Sequence, residues 1–167
     1  MIDPTTWIVS DGAAGNELQA LALARGLGID APRVLRLRAR WPWAALAPQW
    51  APVVPASAWT PEPLSAPWPR LAIGAGRTGA AGLMSIGKAS GGATRSVQIL
   101  DPRVAPASFD LVIAPTHDRL VAPNVIVIDG SLHAIDEAWL ARERAAHAEV
   151  GALPGPRLVV LVRADQH

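Results

Sequence analysis

Three kinds of residue in this chain could do chemistry on a ligand. Glycines beside short apolar runs can bare backbone N–H groups, arginines can pair with phosphate, and a His–Asp dipeptide can move a proton. Gly12-Ala13-Ala14-Gly15-Asn16 follows one apolar run, with Asp11 just before it. Its glycines could present N–H groups at a helix start, where the helix dipole favours an anion. They could equally do no more than turn a strand sharply into a helix. No lysine follows in the pattern of a P-loop, which argues against ATP hydrolysis. Gly74-Ala75-Gly76-Arg77-Thr78-Gly79 fits G-x-G-x-x-G, and Asp101 lies 22 residues beyond Gly79. That spacing belongs to a dinucleotide fingerprint, and also to a tight turn with close helix packing.

His117 and Asp118 are adjacent, and either is a candidate general base, although neighbours in sequence need not face each other. His133 is a further candidate, and a lone loop histidine is more often solvated than basic. Asp101-Pro102-Arg103 can orient a loop through an Asp–Arg pair or hold a guanidinium toward a phosphate. The chain has no cysteine, so thiolate chemistry and Cys-based metal sites are excluded. No spacing of His, Asp and Glu resembles a known ligand set, so no metal is expected.

These residues gain meaning from the elements that must hold them. Short apolar runs at 6–10, 33–37, 70–74, 96–100, 110–114 and 125–128 read as strands. Helical patterns fall between them, over 15–27 and 79–89, and a third runs from an Asp136 cap to about 148. A β-α-β alternation implies parallel pairing, and strands this continuously apolar are covered on both faces. In an open α/β sheet ligands bind outside the carboxyl ends of the strands. Asp11, Gly12, Gly15 and Asn16 follow the first strand, and Gly74, Gly76 and Arg77 close the third. Gln98 lies in the fourth with Asp101 and Arg103 behind it, and His117 and Asp118 follow the fifth. All are expected on one rim.

Residues 41–69 differ in kind, holding five of the seven tryptophans and eight of the 16 prolines. Prolines exclude long helices there, leaving room for one short helix near 43–50. The tryptophans could cover the core as a lid, dock a protein, or lie at a membrane surface. Few basic residues accompany them, which weakens the membrane reading. Half of the 167 residues are apolar, 17% are charged, and the net charge is +1. One globular domain over 1–153 is expected, with 41–69 as an insertion. No Lys/Arg cluster offers a nucleic-acid footprint. The start lacks signal-peptide character, and no apolar run approaches the ~20 residues of a membrane helix. A cytoplasmic location is expected, with a membrane surface as the alternative.

Four segments in order carry a resemblance: SDGAAGNELQALALARGLG, PWPRLAIGAGRTG, SVQILDPRVAPASFDLVIAPTHDRL and APNVIVIDGSLHAI. Together they resemble the Elm-type mitochondrial fission protein family, whose bacterial members are commonly labelled nucleoside-diphosphate-sugar epimerases. That family looks like the GT-B glycosyltransferases. The resemblance implies a Rossmann-like three-layer α/β/α sandwich with a mainly parallel sheet, the acceptor-type first domain of two. It implies a ligand site at Asp11, Gly12, Gly15, Asn16, Gln19, Gly74, Gly76, Arg77, Gln98, Asp101 and Arg103, with His117 and Asp118 as the catalytic residues, one or the other serving as the base. Thr78-Gly79 stands where the family usually has a further Arg or Thr, so one basic contact is in doubt. Residues 154–167, with an apolar run at 157–162, would be a linker and the opening strand of a second domain, or an added strand that pairs with an edge of its own sheet or of a partner chain.

The resulting expectation is a glycosyltransferase-like domain that binds a sugar- or phosphate-containing ligand, such as a nucleotide-sugar, and is inactive without a donor domain. One alternative is an NAD-dependent nucleoside-diphosphate-sugar epimerase. Against it, the chain has no tyrosine to serve as the usual acid/base. The other is a non-enzymatic scaffold or membrane-docking module using 41–69.

Overall fold

Apolar runs of four to five residues are too short for helices, and they become strands. The computed structural model describes residues 3–46, 54–156 and 158. In chain order the elements are β1 (Asp3–Ser10), α1 (Ala14–Gly26), β2 (Pro32–Arg36), β3 (Arg38–Ala39), α2 (Trp43–Leu46) and β4 (Trp59–Thr60). Then come β5 (Leu71–Ala75), α3 (Gly76–Ala89), β6 (Arg95–Ile99), β7 (Leu111–Pro115), β8 (Val125–Ile128), α4 (Glu137–Ala146) and α5 (Ala148–Ala152). Six of the strands form one sheet in the order β2-β1-β5-β6-β7-β8, and every neighbouring pair is parallel. The order reverses between β1 and β5, because β2 lies on one side of β1 and all later strands on the other.

Alternation along the strands divides the core between two faces. Trp7, Val9, Ala72, Val112 and Ala114 pack with Leu83 and Ile86 of α3. Ile8, Ile73, Ala75 and Ile99 pack with Ala20 and Ala24 of α1. Helices therefore cover both faces of a parallel sheet, and the fold is Rossmann-like α/β. α1 buries Ala20 and Ala24 fully, with Leu21 and Leu23 half-buried against the same cluster, while Leu18 is exposed. Small residues at the contact let the helix backbone lie close on Ile8 and Ile73.

Three expectations need correction. The strand expected at 96–100 stops at Ile99, because Leu100 adopts φ 70°. β8 is not covered on both faces, since Ile126 and Val127 are 50% and 52% exposed. It is the outermost strand of the sheet, paired only with β7 among the described residues. The helix expected to reach about 148 breaks at His147, where α4 ends and α5 begins. Of the strand expected at 157–162 only Leu158 is described, exposed and in no regular element; the rest of it, the end of the helix near 43–50 and Trp50 lie outside the described residues.

The tryptophan/proline segment also folds back on the protein. β3 and β4 pair antiparallel, Arg38 with Thr60 and Ala39 with Trp59. Two-residue strands leave no periodicity to read. Trp59 is buried, and its indole N–H donates to Ser85 Oγ at 3.0 Å. Trp68 stacks obliquely on Trp7, ring centroids 6.1 Å apart. Trp41, by contrast, is 84% exposed.

By contacts the chain divides into two units, Met1–His133 and Ala134–His167. The first holds the sheet. In the second, Asp136 caps α4 by accepting the Trp139 N–H at 2.6 Å, and neither α4 nor α5 has a buried residue. No helix among the described residues is long and apolar enough to cross a membrane.

An ion pair ties the sheet edge to α1. Arg36 donates to Glu17 through Nε at 2.8 Å and Nη2 at 2.7 Å, and Ser10 Oγ donates to the same carboxylate at 3.2 Å. The Arg36 hydrogen bonds hold the Glu17 pKa below its ordinary value, against a smaller upward push from burial. A depressed carboxylate stabilises the fold above its unfolded pKa, near 4.3, and that stabilisation fades as pH falls through the lower folded value. Glu17→Gln should therefore melt below wild type at pH 7, and the gap should close toward pH 3. Thermal melts across pH 2.5–7 check this; a gap independent of pH would contradict it.

Candidate functional site

The site is built where strands of the first unit end. After β1, Gly12 takes φ 85° and its N–H donates to Ser10 Oγ at 3.1 Å. The Ala13 N–H donates to Asp11 Oδ1 at 2.9 Å, and Asn16 Nδ2 reaches the same oxygen at 3.4 Å. Two N–H groups of this turn are therefore engaged by the turn's own side chains. Locally the geometry is that of a self-braced strand-to-helix turn, and α1, which itself starts without a capping side chain, carries the acidic Glu17 in its first turn.

The turn after β5 is different. Gly76 takes φ 68°, which favours glycine, and a Cβ there would lie 2.7 Å from Asn16 Nδ2 and push that side chain aside. α3 starts without a capping side chain and without an acidic residue in its first turn. Its N–H groups and dipole are thus open to a negative group. Arg77 stands exposed in that first turn, and among the described residues no side chain pairs with it.

Beneath this turn lies Gln98, fully buried in β6. Its Nε2 donates to the Gly76 carbonyl at 3.1 Å and the Ile99 carbonyl at 2.7 Å, while Oε1 is buried without a partner among the described residues. Exchanging the amide atoms would face oxygen with carbonyls, so the orientation is set by chemistry. Beyond β6 the backbone is left-handed at Leu100 (φ 70°) and Arg103 (φ 60°), and Arg119 repeats this after β7 (φ 52°). Side-chain ties brace these loops. Asp101 accepts the Arg103 N–H at 2.8 Å and pairs with its guanidinium at 3.3 Å. Asp118 accepts the Asp101 N–H at 3.2 Å, joining the two loops. His117 Nε2 lies 3.6 Å from Asp118 Oδ1, beyond hydrogen-bond length, and the imidazole is 80% exposed.

A cleft of about 910 Å³ opens over these ends, lined by Asp11, Asn16, Gly76, Arg77, Thr78, Leu100, Asp101, Arg103, His117 and Asp118. It lies where the strand order reverses, the position at which open α/β sheets take ligands. Eight residues expected from the sequence meet in it. Thr78 and Leu100 join them without having been in the expected set; no sequence signal marks Leu100, whose place follows from its backbone. Gly12, Gly15, Gln19, Gly74 and Gln98 do not line it. Gly74 is sealed under α3, Gln98 props Gly76 from below, and Gln19 donates to the Gly15 carbonyl at 3.3 Å. His133 is exposed and is not among the lining residues. Among the described residues no group of three His, Asp or Glu is placed to hold a metal ion.

The model of the mitochondrial fission ELM1 family matches residues 14–163. The chain belongs to the mitochondrial fission ELM1 family. No curated protein and no solved structure matches it. In this ELM1-family chain the matched span takes in every lining residue except Asp11. The cleft so assembled holds three carboxylates: Asp11 and Asp101 each accept a backbone N–H of their own loop, Asp101 also pairs with the Arg103 guanidinium, and Asp118 accepts the Asp101 N–H across the two loops. Arg77 is the guanidinium left for a ligand.

Proposed function

We propose that the cleft binds a phosphate-bearing sugar ligand, in the manner of the acceptor-type domain of a GT-B glycosyltransferase. The unpaired Arg77 at the uncapped start of α3 carries this reading. A phosphate there would meet the guanidinium and the helix N–H groups together. The free lone pairs of Asp11, Asp101 and Asp118, with the Asn16 amide, suit sugar hydroxyls. His117 is the exposed group that can accept a proton from such a hydroxyl.

Calorimetry with inorganic phosphate, UDP, a UDP-sugar and NAD tests the proposal. The UDP-sugar should bind, and Arg77→Ala should weaken it about 10- to 100-fold, the value of a charge-assisted contact, with an unchanged melting temperature. NAD binding without UDP binding would favour the epimerase-like reading instead. No binding by any of the four would end the proposal.

A further inference from the structure

A second pocket, of about 450 Å³, adjoins the cleft and shares Asp11, Arg77 and Thr78 with it. Its remaining wall is mostly apolar: Leu37, Ala39, Ala44, Trp59 and Ala81, with Arg38 at the rim. α2 and β4 of the tryptophan/proline segment supply Ala44 and Trp59, and β3 just before it supplies Ala39, so the segment builds part of this wall. The hydrogen bond from Trp59 to Ser85 fixes the indole against α3. Three alanines leave the space open where larger residues would fill it. Arg77 thus stands at a junction, with polar lining on one side and apolar lining on the other.

We infer that the ligand's phosphate carries an apolar or aromatic organic group, and that this group occupies the second pocket while the phosphate sits on Arg77. The inference rests on the phosphate reading of the cleft. Burial of one ring face or a few methylenes strengthens binding about 10- to 100-fold. The chemistry is shared by a nucleoside phosphate and a prenyl phosphate, so both serve as probes.

Calorimetry would compare inorganic phosphate, glucose 1-phosphate, UMP and geranyl phosphate on the full chain, and on an Ala44→Trp variant that fills the pocket from the exposed face of α2. UMP or geranyl phosphate should bind at least about tenfold tighter than glucose 1-phosphate, and which of them does so identifies the source. Ala44→Trp should remove that gain and leave inorganic phosphate and glucose 1-phosphate unchanged. Equal affinities for all four probes, or a gain that survives Ala44→Trp, would overturn the inference and leave the phosphate reading standing. Failure of all four to bind would overturn both.

Discussion

Gly74→Val should destabilise the protein by about 3 kcal/mol, while Gly87→Ala, in the helix that packs above it, should stabilise by about 0.5–1 kcal/mol. A Cβ at Gly74 would lie 2.8 Å from Leu83 Cδ1 and 2.9 Å from the Gly79 carbonyl oxygen. The carbonyl belongs to the helix backbone and cannot swing aside, so β5 and α3 would have to separate. Valine suits a strand by propensity, which makes the contrast sharper: the favourable local term loses to the clash. Gly87 has open space around its Cβ position, and alanine there gains helix propensity without meeting anything. For a chain of this size the changes correspond to a fall of roughly 6–12 °C in Tm and a rise of 1–4 °C. Melts without ligand decide it. If Gly74→Val melts like wild type, the glycine does not serve packing, and its place in G-x-G-x-x-G must be explained by a ligand instead.

The same glycines show what was legible in the sequence and what was not. Both the dinucleotide fingerprint and the tight turn fit Gly74 to Gly79. In the structure Gly74 and Gly79 press strand and helix together, and Gly76 alone reaches the cleft. A motif fixes spacing, but which glycine faces a ligand depends on how far the helix tilts over the sheet. The parallel sheet was readable because its strands are apolar runs punctuated by polar turns. Parallel order then gathers those turns on one rim, which is why Asn16, Arg77 and Arg103 meet in one cleft. Leu100 escaped because its left-handed backbone carries no compositional mark. The β3–β4 pair escaped because two-residue strands have no period, and prolines only say where helices cannot be. His117 and Asp118, read as a possible pair, do lie side by side, but at 3.6 Å Asp118 does more to hold Asp101 than to orient the imidazole.

Trp59→Ala should cost about 3–5 kcal/mol, the largest loss expected of any single substitution proposed for this chain. The indole is 1% exposed and belongs to the same core as Leu37, Leu83 and Ile86. Ser85 Oγ accepts its N–H and in turn stands 2.7 Å from the Val54 carbonyl and 3.0 Å from that of Ala81. One hydroxyl thereby fastens the tryptophan/proline segment to α3 at two points. Trp59→Phe keeps most of the ring and leaves Ser85 bonded to a carbonyl, so about 1–2 kcal/mol is expected. Ser85→Ala strands both the buried indole N–H and the Val54 carbonyl, at about 2–3 kcal/mol for the two together. Urea unfolding followed by circular dichroism gives all three. An ordering of Ala, then Ser85→Ala, then Phe from most to least damaging is what a lid anchored through one hydroxyl requires. If Trp59→Ala unfolded at the wild-type urea concentration, the segment would be a passive cover, and the wall it gives the second pocket could not be rigid enough to select a ligand.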